Sequence, residues 1–150
     1  MSDLTRLSSL SIELASSLPA HFVLDWICTI TSLIDLEVNV QSACFVGDSL
    51  TVLSRLTSLK LCNLTDESDE QDLCCDVPWH AMQALQHIEL TGPLVFDDGI
   101  VQLTTLQQLS FVSFSGLCSQ HSAASSLARL TYQLAAHCPH VPVKIDGYFC

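Results

Sequence analysis

The sequence predicts an α/β fold made by stacking one short unit, with a curved parallel sheet on one face and helices or irregular turns on the other. Three observations lead there. The first is a phrase of apolar residues at steps of three, three and two, clearest in Leu53-Ser54-Arg55-Leu56-Thr57-Ser58-Leu59-Lys60-Leu61. This cadence matches neither the helical period of about 3.6 residues nor the strand period of about two; it suits a chain that turns tightly and then straightens. The second is recurrence. The phrase is found again at Leu4, Leu7, Leu10, Ile12; at Ile30, Leu33, Leu36, Val38; at Met82, Leu85, Ile88, Leu90; and at Leu103, Leu106, Leu109, Phe111. Its second positions are 26, 23, 29 and 21 residues apart. The third is composition: 49% hydrophobic against 14% charged residues in 150, enough apolar material for one domain with a continuous core.

Leucines in this arrangement, at this spacing and over nearly the whole chain, resemble the leucine-rich repeat family. The resemblance implies a solenoid of about five repeats plus a degenerate sixth, forming a single domain over residues 1–150. Each phrase would form a short strand at its three-two portion, and no repeat would bury its leucines without its neighbours. The family commonly binds proteins on its concave sheet, so the resemblance implies a non-catalytic interaction scaffold that needs no cofactor. Leu-x-x-Leu-Thr-Ser-Leu-x-Leu is also similar to repeats of plant and green-algal intracellular proteins, some assigned to the ciliary axoneme. That association implies a cytoplasmic location and leaves a cytoskeletal one open. Two alternatives stand beside it: a substrate-recognition fragment of an F-box ubiquitin-ligase adaptor, which requires an F-box ahead of Leu4, and the repeat region of a larger enzyme.

In chain order, Pro19 suits the first turn of a helix, and Phe22, Trp26 and Ile30, with Val23 and Ile27, have helical spacing over the first return. Gly47-Asp48-Ser49 reads as a turn. Residues Thr65 to Asp76 carry six acids in twelve residues and read as an exposed acidic insertion, since self-repulsion and scarcity of apolar groups oppose packing. Gly92-Pro93 and Asp97-Asp98-Gly99 read as turns. Ser125 is placed to cap a helix bearing Leu127, Leu130 and Leu134, and Val143-Lys144-Ile145 reads as a compressed sixth strand. No capping module marks either terminal repeat, which leaves self-association through open strand edges as an expectation.

The formal net charge of −11 argues against nucleic acid and anionic membrane as partners, because both call for a basic face. No apolar run approaches the roughly 20 residues of a membrane span, and Met1-Ser2-Asp3 opens no secretory signal. Eight cysteines are then expected as reduced packing groups.

Alternate residues of a strand face opposite ways, so the residues between the leucines form outward columns. The first column reads Ser9, Asp35, Ser58, His87, Gln108; the second Ser11, Glu37, Lys60, Glu89, Ser110; the third Glu13, Asn39, Cys62, Thr91, Val112. The candidate partner-binding residues are Asp35, Glu37, Asn39, Ser58, Lys60, His87, Glu89, Gln108 and Ser110. Lys60 between Glu37 and Glu89 is either a solvated ion ladder worth under about 1 kcal/mol or a polar recognition strip for another protein, and the acidity of the strip favours a basic segment. His137, Cys138, His140 and Cys150 have metal-binding residue types without the paired spacing of a structural zinc site, and adjacent Cys74-Cys75 suit shared ligation poorly. Asn63-Leu64-Thr65 matches the glycosylation acceptor pattern by chance. No metal ligands and no catalytic residues are assigned.

Overall fold

The computed structural model describes residues 6–14, 25–40, 44–46, 48–64, 73–92, 94–95, 98–116 and 121–146. Among the described residues nine strands form two sheets. The main sheet contains β1 (Ser9–Leu14), β2 (Asp35–Val40), β4 (Ser58–Asn63), β6 (His87–Thr91), β8 (Phe111–Ser115) and β9 (Val143–Asp146), in that order. All its pairings are parallel. A smaller parallel sheet takes β3 (Cys44–Val46), β5 (Leu73–Asp76) and β7 (Leu94–Val95). Chain order and spatial order agree in both sheets, so each strand lies beside the one before it.

The uneven leucine spacing has a direct structural cause. Ile30 N–H donates to the Ile27 carbonyl and Leu33 N–H to that of Ile30; Leu53 to Leu50 and Leu56 to Leu53; Met82 to Trp79 and Leu85 to Met82; Leu106 to Leu103 and Leu109 to Leu106. These are successive three-residue turns, in which side chains at i and i+3 eclipse one another. Steps of three therefore keep the apolar groups on one side, and the step of two continues that side along the strand. Ile27, Leu33, Leu36, Val38, Leu50, Leu59, Leu61, Leu85, Ile88, Leu90, Leu103, Val112 and Phe114 are all buried in one cluster. That core lies between the main sheet and the elements returning behind it: the 3₁₀ helices Asp48–Val52, Trp79–Ala81 and Asp98–Thr105, and helix α1 (His121–His137).

Register is pinned at the start of the strands. Ile34 and Asp35 N–H both donate to the Ser8 carbonyl, Thr57 and Ser58 to Ile34, Gln86 and His87 to Thr57, and Ser110 and Phe111 to Gln86. Ser110 Oγ adds a 2.9 Å bond to the Gln86 carbonyl. Ser110 is thus the counterpart of Gln86 and Thr57, one residue ahead of its strand.

This corrects the fifth phrase. Leu36, Leu59 and Ile88 align with one another and with Val112, where the phrase had placed Leu109. Ile100, Leu103, Leu106 and Leu109 all stand three apart, so the sequence allowed the phrase to be read one turn early. The observed register buries Leu109 in the preceding turn and Val112 and Phe114 on the strand.

Other expectations differ in detail. Of the first-return helix, residues 25–27 are helical; 15–24, with Pro19, Phe22 and Val23, lie outside the described residues. Trp26 is half exposed while Ile27 and Ile30 are buried, so Trp26 departs from the expected apolar stripe and the buried pair stands one three-residue step apart. Of the acidic insertion, residues 65–72 lie outside the described residues. Leu73–Asp76 is a strand and not part of an irregular loop; Leu73, Cys74 and Cys75 are the one apolar run in that stretch. Asp98-Gly99 opens a 3₁₀ helix instead of a turn. Helix α1 begins four residues before Ser125, which puts Ser125 inside it and not at its cap. Val143–Asp146 forms the sixth strand of the main sheet, paired with β8.

Candidate functional site

The outward face of the main sheet is built by strand alternation. Along β2 the burial runs from exposed Asp35 through half-buried Glu37 and Asn39, with Leu36, Val38 and Val40 buried between them. The same alternation holds on β6 and β8. In-register pairing then sets three rows across the strands. The first is Ser9, Asp35, Ser58, His87, Phe111; the second is Ser11, Glu37, Lys60, Glu89, Ser113, Lys144; the third is Glu13, Asn39, Cys62, Thr91, Ser115, Asp146.

Seven of the nine candidate residues, Asp35, Glu37, Asn39, Ser58, Lys60, His87 and Glu89, therefore share this face. Gln108 and Ser110 do not belong to it. Both precede β8, and their places are taken by Phe111 and Ser113. Val112, the sequence's choice for the third row, is fully buried. Phe111 was hidden by the same slip of three, and its signal was the further apolar pair Val112 and Phe114 following Leu109 at steps of three and two.

Lys60 is not shared equally. Its Nζ lies 3.1 Å from Glu37 Oε1 and 3.9 Å from Glu89 Oε2. Ser11 Oγ donates a second bond to Glu37 Oε2 at 3.1 Å. The bond from Lys60, then that from Ser11, holds the Glu37 carboxyl below the usual carboxylate range. The same partnership raises the Lys60 ammonium. Glu89 Oε1 lies 3.2 Å from His87 Nε2. The His87 ring stacks on Phe111 with centroids 4.6 Å apart and planes 24° from parallel. At the β9 end Lys144 pairs with Asp146. An open depression is lined by Ser9, Ser11, Asp35, Glu37, Ser58 and Lys60.

Across the three rows five carboxylates (Glu13, Asp35, Glu37, Glu89, Asp146) face two lysines (Lys60, Lys144). The face is acidic, and Lys60 neutralises Glu89 less closely than Glu37.

Cys28, Cys62 and Cys138 are buried free thiols. Burial, aided by the Asp25 carboxylate, pushes the Cys28 thiol up to about 11. Burial raises Cys62 as well, although it lies on the outward row between Asn39 and Thr91. Raised thiols stay protonated and are weak nucleophiles. Cys138 directly follows helix α1, with its thiol 3.7 Å from the Thr104 carbonyl, and His137 and His140 are exposed. Cys150 lies outside the described residues. No group of three or more metal-ligating side chains gathers among the described residues, and no helix there is long and apolar enough to cross a membrane. Asn63 is 5% exposed and faces Gly92, a position closed to a glycosylating enzyme in the folded chain.

No family model, curated protein or solved structure matches this chain.

Proposed function

We propose that this chain is a leucine-rich repeat solenoid acting as a non-catalytic scaffold, which holds a basic protein segment against the concave, outward face of its main sheet. The observation that carries this reading is the row Ser11, Glu37, Lys60, Glu89 with Asp35 beside it, where carboxylates outnumber ammonium groups on a six-stranded parallel sheet. Support also comes from the hydrogen-bonded register. A backbone already fixed by its neighbours loses little freedom when a partner binds, which keeps the cost of association down. Complementary charge would set partner choice and encounter rate more than affinity.

The test is affinity capture from cell extract followed by mass spectrometry, with wild type beside Glu37→Lys plus Glu89→Lys. Both side chains are about one third exposed, on the outward face and off the core, so the double variant should fold with unchanged circular dichroism. Basic partners held by the wild type should be lost by the variant, and their capture should fall steeply as salt rises. The same partners bound equally well by both proteins would contradict the reading.

A further inference from the structure

We propose that the β6–β8 end of this face seats an arginine side chain of the partner, its guanidinium lying against the His87–Phe111 ring stack and bonding to Glu89. The proposal rests on reading the face as the seat of a basic segment, and it names the residue that segment must carry. Three features of the site converge on it. Glu89 is the carboxylate that Lys60 neutralises less, at 3.9 Å against 3.1 Å for Glu37. Its Oε1 faces His87 Nε2, and Lys60 approaches Oε2 only to 3.9 Å, too long for a hydrogen bond, so Oε2 can still accept from a ligand. Beside it two stacked aromatic rings stand on the outward row, with the His87 side chain 42% exposed.

A flat cation suits this arrangement better than a round one. Guanidinium is planar, weakly hydrated, stacks on aromatic faces and donates along its edge to a carboxylate, whereas ammonium is a compact and strongly hydrated charge. Glu37 offers no such seat, since Lys60 and Ser11 already occupy its oxygens. The outward residues flanking Glu37 on its own strand, Asp35 and Asn39, carry no ring.

Acetylated, amidated hexa-arginine and hexa-lysine carry the same charge and differ in the cation. Titration calorimetry at low salt should show hexa-arginine binding wild type roughly three- to tenfold tighter. Phe111→Leu and Glu89→Gln should each bring that ratio towards one; the two substitutions fail independently if either disturbs folding. Equal binding of the two peptides by wild type, or a preference that survives in both variants, would overturn the arginine seat while leaving the basic-segment reading standing. If neither peptide binds, both readings fall.

Discussion

Replacing Leu59 by alanine should lower the unfolding free energy by about 4 kcal/mol, whereas Leu10→Ala should cost about 1–2 kcal/mol. Leu59 lies on β4 with a strand on either side and no exposed surface. Its truncation leaves a cavity that Leu36 and Ile88, its register partners, cannot both close. Leu10 makes the same inward turn on β1, but it is only partly buried, so less apolar area returns to water. Urea unfolding followed by circular dichroism measures both, and a loss near 4 kcal/mol is a large part of the roughly 5–15 kcal/mol that holds a domain of this size. Similar losses at the two positions would mean that burial does not deepen toward the middle of the sheet.

Gly92→Ala should be nearly as damaging, at about 3 kcal/mol, with Gly116→Ala costing about 1 kcal/mol. Both glycines have positive φ, +97° and +66°, and both follow a strand of the main sheet. What separates them is space. A Cβ on Gly92 would come within 2.3 Å of the Asn63 carbonyl oxygen, a backbone atom that cannot swing aside; on Gly116 the nearest atom is the Gly92 nitrogen at 3.3 Å. Gly92 N–H also donates to the Ser115 carbonyl at 2.8 Å, so pushing it away from Asn63 would strain that bond and the join between β6 and β8. Thermal melts of the two variants side by side give the ranking directly.

The alternation of buried and outward residues was legible wherever the three-three-two cadence had one reading. Ile30-x-x-Leu33-x-x-Leu36-x-Val38 and its counterparts at Leu53 and Met82 place Asp35, Glu37, Lys60, His87 and Glu89 on the outward face without ambiguity. The fifth phrase offered two readings, because Ile100, Leu103, Leu106 and Leu109 keep the step of three for an extra turn. Which turn ends and which strand begins is then decided by Val112 and Phe114 filling the core, a tertiary matter that local spacing does not carry. The second sheet was illegible for a related reason: strands of two to four residues are too short to show a period. The lean of Lys60 toward Glu37 and the His87–Phe111 stack depend on side-chain geometry and could not be read from residue types alone.

Everything attributed to the outward face follows from the register of the parallel strands, and backbone NOE measurements on isotope-labelled protein test it most directly. Interstrand contacts should link the Lys60 backbone to Glu37 on one side and Glu89 on the other, and Glu89 onward to Ser113. Contacts from Glu89 to Ser110 instead, or a run of helical sequential contacts through residues 58–63, would contradict the account.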